Sequence, residues 1–319
     1  MALFLSEEEV AKLLPMDECI DVLEEAFKHS SDGKTDIQPR SRIRMPNGFF
    51  HFMAAADAGH GVFGYKAYPS FPGPNGSKFL VMLYDYESGQ LLACLESGRL
   101  GQIRTGAASG LATKYMAQDN ASMVGVIGSG LQARSQLEAI CAVRDIKQAK
   151  VFSRREERRT DFANRMSERL QIDIQPVATS EECVSDSDVV VTITSSREPV
   201  FKGDSLKQGS HVNAAGGNHW MRAEIDERTV TRSSLIVVDD LEQAKVECGD
   251  LLSAEARGTF RWDMAQELRD VVGGRIPGRS SKDNITLFES MGVALEDIAA
   301  AQFVYHKAVE QGIGQELPF

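Results

Sequence analysis

The spacing of apolar positions changes near residue 120, and this change predicts two domains. Within the first 119 residues, an S-x-x-E capping box at 6–9 and helical spacing over 20–30 predict two helices. Apolar runs bounded by turn residues predict strands at 37–53 (broken by a turn at 46–48), 64–68 and 79–86. We therefore expect this half of the chain to be α+β, with a mostly antiparallel sheet.

Two further segments of this half have distinctive compositions. Residues 69–77 hold three prolines and two glycines, which predicts a loop. Small residues dominate 104–116, which predicts a helix that packs closely against a neighbour.

Beyond residue 120, short apolar runs alternate with helical stretches. Strands are predicted at 123–127, 150–152, 172–176, 189–194, 210–214 and 235–238, and helices at 132–143 and 155–170. Such alternation implies a parallel sheet with helices on both faces. A last helix over 296–311, capped by Gly312, lies beyond these strands, and we expect it to return to the first domain. The predicted fold class is α/β, with one domain at 120–295 and an α+β domain built from 1–119 with 296–319.

A glycine loop follows the first predicted strand of the second domain. It has the form G-x-G-x-x-A, in which Gly128 permits a tight turn, Gly130 lets a pyrophosphate approach the backbone, and Ala133 allows close helix–strand packing. The helix that begins there offers free amides and its positive dipole end to phosphates. The alternative is an ordinary glycine turn, but the order strand, loop, helix, strand favours dinucleotide binding.

The tip of the second strand indicates which dinucleotide is bound. An NAD site usually carries Asp or Glu there to hold the ribose hydroxyls, whereas this chain has Ser153, Arg154 and Arg155. A hydroxyl and two arginines suit a 2′-phosphate, so we expect NADP(H) to be preferred, with NAD(H) possible. The alternative is that both arginines are solvated and partly neutralised by Glu156 and Glu157.

Composition excludes several other classes of function. The net charge of −11 disfavours nucleic-acid binding. Five cysteines without a C-x-x-C pair argue against a disulfide framework or a zinc knuckle, and we predict no metal site. No signal peptide and no apolar run of about 18 residues is visible, so we expect a cytoplasmic protein without a membrane partner.

Three cations of the first domain stand among apolar or small residues. They are Arg40, Lys66 and Arg104. A buried cation needs a partner, and one anionic substrate group can serve all three. We therefore predict a small-molecule carboxylate as substrate, with structural salt bridges as the alternative.

The chain resembles the ornithine cyclodeaminase/mu-crystallin family over nearly its whole length. The motifs that carry the resemblance are Pro39-Arg40, Gly64-Tyr65-Lys66, Ile103-Arg104-Thr105-Gly106-Ala107-Ala108-Ser109, Gly128-Ser129-Gly130-Leu131-Gln132-Ala133, His211-Val212-Asn213-Ala214-Ala215-Gly216, and Ser290-Met291-Gly292 followed by Glu296-Asp297.

The resemblance implies a homodimer, in which 1–119 with 296–319 is the substrate-binding and dimerisation domain and 120–295 is the Rossmann dinucleotide-binding domain. It implies that Arg40, Lys66 and Arg104 hold the substrate carboxylate. The remaining assignments concern the cofactor, to which we expect these residues to bind: Gly128, Ser129, Gly130, Leu131, Gln132, Ser153, Arg154, Arg155, Thr194, Gly216, Ser290 and Gly292.

Two departures from the family pattern change the expected chemistry. Asn218 takes the place of an aspartate that the cyclodeaminases carry after the glycines near residue 216, and His51 replaces a glutamate before their Met-Pro pair. Both carboxylates that assist cyclisation are therefore missing. The amide of Asn218 cannot replace one of them, because an amide is neither acid nor base at neutral pH.

The leading hypothesis is therefore an NAD(P)H-dependent reductase of small 2-imino carboxylates. Lys66, His51 and Asn218 are the candidate catalytic residues, with Lys66 or His51 protonating the imine nitrogen and His219 a rival acid. Ornithine cyclodeaminase or an alanine-dehydrogenase-like activity is the second hypothesis. The third is an NADPH-binding protein without turnover.

Overall fold

The computed structural model describes residues 2–72 and 77–318, and the chain forms two compact units. Unit 1 comprises Met1–Arg104 with Val293–Phe319, and unit 2 comprises Thr105–Gly292. The predicted boundaries at 119/120 and 295/296 differ from this division. The reason lies in the small-residue helix, where a Cβ on Gly106 would lie 2.4 Å from the carbonyl oxygen of Ser135, so most of this helix packs within unit 2.

Unit 1 combines a sheet with four helical segments. Labels run along the whole chain, and the elements here are β1 (Leu3–Leu5), α1 (Glu7–Leu13), α2 (Met16–Ser31), β2 (Thr35–Met45), β3 (Gly48–Asp57), β4 (Val62–Ser70), β5 (Leu80–Asp85), β6 (Leu91–Glu96), the start of α3 (Gly98–Met116), α11 (Ala294–Gln311) and β15 (Gln315–Glu316). The predicted capping box is present, because Ser6 and Glu9 cap each other at the start of α1.

The sheet of unit 1 has the order β15-β1-β6-β5-β4-β3-β2 and is antiparallel except where β1 pairs with β6. Helix α11 packs on β3 and β4 and lies in the same compact unit as the first 104 residues. Met53 pairs with Lys66 across these strands, so their side chains point to the same face. On that face Gly64 permits the approach of α11, since a Cβ there would lie 2.8 Å from Ile298.

Unit 2 is a parallel eight-stranded sheet with helices. Its elements are β7 (Met123–Ile127), α4 (Leu131–Val143), β8 (Gln148–Phe152), α5 (Glu156–Leu170), β9 (Asp173–Pro176), α6 (Ser180–Val184), β10 (Val189–Thr192), β11 (His211–Ala214), α7 (Glu227–Arg232), β12 (Ser233–Val238), α8 (Leu241–Glu247), α9 (Gly249–Ala256), β13 (Ala265–Glu267), α10 (Leu268–Val272) and β14 (Ile285–Glu289).

The strand order β13-β12-β14-β11-β10-β7-β8-β9 places β7 beside both β8 and β10. The chain runs outward from β7 through β8 and β9, then returns to the other side of β7, which creates a switch point for ligand binding at the carboxyl ends. Strand β10 is apolar throughout because Val190 enters the core on one face while Val189 and Val191 enter the core on the other. The predicted Rossmann fold is confirmed.

Several elements differ from the predictions. Strands β1, β6, β13, β14 and β15 and the helices between residues 227 and 272 were not predicted. The predicted loop over 69–77 was placed two residues too early, because β4 continues through Ser70 against β3. The centre of that segment, 73–76, lies outside the described residues. Within the described part of the chain, no helix is both long and apolar enough to span a membrane.

Candidate active site

The glycine loop connects β7 to α4. Gly128 has φ +126°, and a Cβ on it would lie 2.5 Å from the carbonyl oxygen of Ile193, so only glycine fits this turn. Gly130 caps α4, and a Cβ added there would meet no atom within 4 Å among the described residues. Open space thus lies over the first amides of a helix, as a pyrophosphate requires. The Oε1 atom of Gln132 is buried without a hydrogen-bond partner in the described structure, so this oxygen can accept a hydrogen bond from a ligand. These features fit a dinucleotide.

The loops that follow β10 and β11 are held together by a carboxylate that sequence reasoning missed. Glu224 is fully buried and accepts hydrogen bonds from the amides of Thr194 at 2.5 Å and Gly216 at 2.7 Å. Burial raises the pKa of Glu224, against the effect of these hydrogen bonds. Gly216 must be glycine, because a Cβ would lie 2.3 Å from the carbonyl oxygen of Thr194. Thus Glu224 orders two predicted cofactor residues.

A second buried carboxylate orders the segment after β14. Asp239 accepts hydrogen bonds from the amides of Met291 at 2.7 Å and Gly292 at 2.6 Å. Gln243 donates to the carbonyl of Gly292 at 2.8 Å, while the amide of Ser290 donates to Ala214 at 2.9 Å. Ser290 and Gly292 therefore lie at the carboxyl edge of the sheet, in a loop whose backbone is held in place by these hydrogen bonds.

The tip of β8 carries the residues predicted to select the dinucleotide. The hydroxyl of Ser153 lies 3.0 Å from that of Ser129, which links the tip directly to the glycine loop. Arg154 and Arg155 are exposed at the start of α5. Arg159, one turn further, donates to the carbonyl of Ser153 at 3.1 Å. The tip of β8 therefore presents positive charge beside the glycine loop.

Unit 1 contains a buried cluster of charges, hereafter the charge cluster, formed by Arg40, Lys66, Arg104, Glu296 and Asp297. Lys66 donates to Asp297 at 2.8 Å. Arg104 donates to Asp297 through Nε at 3.0 Å and to Glu296 at 2.5 Å. Lys66 and Arg104 therefore form the salt bridges that the alternative prediction describes. Sequence reasoning did not identify Glu296 and Asp297 as the partners of these cations, although both belong to a motif that carries the family resemblance.

The ionisation of the charge cluster follows from its burial. Burial lowers the pKa of Lys66 to about 8, with Arg104 and Arg40 adding to the shift and Asp297 opposing it. Burial raises the pKa of Glu296 to about 7, while Arg104 opposes the rise. For Asp297, Arg104 and Lys66 outweigh burial and hold the pKa below its usual range. The pKa values of Lys66 and Glu296 therefore both lie near neutral pH.

His51 lies on the same sheet face as Lys66 but is separated from it by an aromatic ring. Its ring stacks on Tyr68 at 4.5 Å, and Lys66 Nζ lies 5.9 Å from the centroid of the same ring. His51 and Tyr68 are directly paired in the β3–β4 register. The structure thus places the two predicted proton donors one ring apart.

The segment after Gly216 carries Asn218. The Oδ1 atom of Asn218 accepts a hydrogen bond from Arg222 at 3.3 Å, and its side chain is exposed. His219 stacks on Trp220 with ring centroids 5.7 Å apart, and Trp220 is 61% exposed. Asn218 and His219 therefore lie on a surface loop of unit 2.

The comparisons with known proteins now identify the family. The model of the ornithine cyclodeaminase/mu-crystallin family matches residues 1–312. The chain belongs to this family. The alanine dehydrogenase of Archaeoglobus fulgidus is 36% identical over 99% of this chain and 98% of its own length.

Two further relatives are named as reductases of an imino acid. The Delta(1)-pyrroline-2-carboxylate reductase of Bacillus cereus is 34% identical over 99% of this chain and 100% of its own. The structure of the Thermococcus litoralis Delta(1)-pyrroline-2-carboxylate reductase, in complex with NADH and L-proline, is 35% identical and covers 99% of this chain and 100% of that one, with a TM-score of 0.94. The prediction of an NAD(P)-dependent oxidoreductase acting on C–N bonds is confirmed, and the chain is an imino-acid reductase or amino-acid dehydrogenase in the broad sense.

Proposed function

We propose that this protein reduces small 2-imino carboxylates, of the pyrroline-2-carboxylate type, with NAD(P)H. The observation that carries the proposal is the composition of the charge cluster. Among the described residues it combines three cations, Arg40, Lys66 and Arg104, with two carboxylates, one of which has a pKa raised to about 7 by burial. The charge cluster therefore holds more cationic than anionic side chains, and in this proposal its cations bind the carboxylate of the substrate.

The dinucleotide is held in this proposal by the glycine loop and by the ordered loops at the sheet edge. The bound nicotinamide supplies a hydride to the carbon of the C=N bond. The amides at the start of α4 and Gly130 would receive the pyrophosphate, and Ser290 and Gly292 would contact the nicotinamide. Ser153, Arg154 and Arg155 hold a 2′-phosphate, so NADP(H) is preferred over NAD(H).

Lys66 holds the proton that the imine nitrogen takes up during reduction. Its ammonium group is buried, and its pKa of about 8 keeps it mostly protonated at neutral pH while making it a better acid than an exposed lysine. His51, stacked on Tyr68, is the alternative donor. Asn218 supplies neither proton nor base, which favours reduction over cyclodeamination.

The test is to follow NADPH and NADH oxidation with pyrroline-2-carboxylate, piperideine-2-carboxylate, and pyruvate plus ammonia. We expect turnover with at least one cyclic imine. Proline formation from ornithine without turnover of any imine would contradict the proposal. Tight NADPH binding with no oxidation of any substrate would instead favour a binding protein without turnover.

The second candidate is alanine dehydrogenase activity. It is favoured by the 36% identity to the Archaeoglobus fulgidus enzyme. Reduction of pyruvate with ammonia at a higher kcat/KM than either cyclic imine would establish it.

The cofactor preference is tested by Arg154→Ala, with Arg158→Ala as the control because Arg158 is equally exposed on the same helix start. We expect Arg154→Ala to raise the Kd for NADPH at least tenfold while changing the Kd for NADH much less. If both variants leave the two constants unchanged, the tip of β8 does not recognise the phosphate.

A homodimer is proposed to form through the outer face of the unit 1 sheet. On the face opposite α11, Phe52 is 39% exposed and its ring contacts Tyr65 at 5.3 Å. Tyr84 contacts both Tyr65 and Phe63, so aromatic rings continue across the three strands β3, β4 and β5. An exposed apolar patch on a sheet is typical of an association surface.

Sedimentation of Phe52→Glu tests the proposed surface. We expect this variant to be monomeric, whereas Val246→Glu, which changes an exposed apolar residue of unit 2, keeps the oligomeric state of the wild type. An unchanged assembly in Phe52→Glu would place the dimer contact elsewhere.

A further inference from the structure

Two histidines and an aspartate of unit 1 meet in a cluster, and none of the three is used in the proposed reaction. His29 lies in the last turn of α2, Asp57 ends β3, and His60 lies in the turn to β4. One nitrogen or oxygen of each side chain lies within 4.8 Å of the others. The sequence did not predict this juxtaposition, because 28 residues separate His29 from Asp57.

The carboxylate of Asp57 is oriented before any ligand arrives. Its Oδ1 atom accepts hydrogen bonds from the amides of Gly59 at 2.9 Å and His60 at 3.2 Å. Its Oδ2 atom faces His60 Nδ1 at 2.6 Å and His29 Nδ1 at 3.3 Å. Asp57 is completely buried, whereas the histidine side chains are 22% and 11% exposed, so an ion can enter from their side.

These distances suit a small divalent ion. In a tetrahedral zinc site with bonds of about 2.0 Å, neighbouring ligand atoms lie about 3.3 Å apart. The His29–Asp57 separation already matches this value, and the His60–Asp57 separation needs to open by less than an ångström. Two imidazole nitrogens and one carboxylate oxygen form a donor set that zinc accepts, with water in the fourth position.

The surroundings supply two features that support metal ligands. Histidines that bind a metal through one ring nitrogen usually donate the other N–H to a carboxylate. His60 Nε2 faces Glu25 Oε2 at 3.4 Å while its Nδ1 points at Asp57. Residue 59 is glycine, and a Cβ there would lie 2.3 Å from the His29 ring, so glycine allows that ring to reach Asp57.

We propose that His29, Asp57 and His60 bind one Zn²⁺ ion, with Glu25 orienting His60 from outside the ligand set. The ion joins the end of α2 to the β3–β4 turn and thereby stabilises unit 1. The site is structural and independent of the proposed reductase activity, because none of its members belongs to the charge cluster or to the cofactor loops.

The test is a titration of metal-free protein with zinc sulfate in competition with a chromophoric zinc indicator. We expect one equivalent of zinc per chain, and an affinity at least tenfold lower in His29→Gln and in His60→Gln. Glu25→Gln, which removes only the orienting carboxylate, should lower the affinity about tenfold. His306→Gln is the control, because His306 is an exposed histidine of the same unit.

Far-UV circular dichroism and imine reduction show whether each variant is folded, since glutamine preserves a hydrogen-bonding side chain beside Asp57. A second measurement uses the melting temperature, which zinc should raise in the wild type and in His306→Gln but not in His60→Gln. Equal zinc affinity in folded wild type and folded His60→Gln would overturn the proposal. So would the absence of zinc binding by the wild type, which would leave the three side chains as a hydrogen-bonded cluster.

Discussion

Asp297→Asn is the most direct test of the charge cluster. Asp297 is completely buried, and one of its oxygens accepts from Lys66 at 2.8 Å and Arg104 at 3.0 Å. Asparagine has the same shape and retains an accepting oxygen, so the substitution removes charge with little change in packing. The three buried cations of the charge cluster are then left with Glu296 as the cluster's remaining carboxylate.

The expected cost can be worked out from these contacts. At an effective dielectric constant of 20, opposite charges 2.8 Å apart attract by about 6 kcal/mol. Desolvation offsets much of this, as the lowered pKa of Lys66 indicates. Removing one partner of a buried pair typically costs about 3–5 kcal/mol. Because Arg104 keeps Glu296 at 2.5 Å, the loss falls mainly on Lys66, and we expect about 3 kcal/mol.

Asp161→Asn is a matched control. Asp161 accepts from Arg165 at the same distance of 2.8 Å, but both side chains are more than half exposed on α5. An exposed i,i+4 pair contributes about 0.3–0.5 kcal/mol, so this variant should be nearly as stable as the wild type. The two substitutions are chemically identical and differ in burial.

The assay is urea unfolding followed by far-UV circular dichroism, with ΔG compared at equal m-values. If Asp297→Asn and Asp161→Asn lose the same free energy, burial does not control the strength of these pairs and our reasoning is wrong. A gain of stability in Asp297→Asn would refute it more strongly, because it would mean that the cluster is held together without this charge.

Three other predictions concern the cofactor loops and pH. Gly130→Ala should lower the unfolding free energy by only about 0.5–1 kcal/mol, because its Cβ meets open space but alanine is a poorer N-cap than glycine, and it should raise the Kd for NADPH at least tenfold. Gly128→Ala should destabilise folding by about 1–3 kcal/mol, which urea unfolding will show. Glu224→Gln leaves one of two loop amides without an accepting oxygen, so we expect a loss of about 1–3 kcal/mol and a raised KM for the cofactor in steady-state kinetics. The pKa of Lys66 is about 8 in the folded chain and 10.5 when the side chain is exposed. Between these pH values the unfolded chain binds more protons than the folded chain, so the free energy of unfolding rises with pH. Lys66→Met should remove that rise when unfolding is measured from pH 8 to 10.5.

Much of unit 2 was predictable because its signals are local. The strand before Gly128, the turn and the helix after it follow from the order of apolar, glycine and small residues along a short stretch. The strands of β13 and β14 were missed for the opposite reason. Each is a short run whose pairing with β12 lies far away in sequence, so nothing nearby marks it as a strand.

The sequence by itself determined the two-domain order, the glycine turn, the cation positions and the departure at Asn218, since each depends on residue type or short-range spacing. Only the tertiary structure decided what those residues touch. The partners of Lys66 and Arg104 lie about 190 to 230 positions away, at Glu296 and Asp297, and Glu224 reaches back to the loop of Thr194. Burial of these groups sets their pKa values, and burial depends on how distant segments pack. For that reason the charged residues could be identified from the sequence, but their ionisation states and their partners could not.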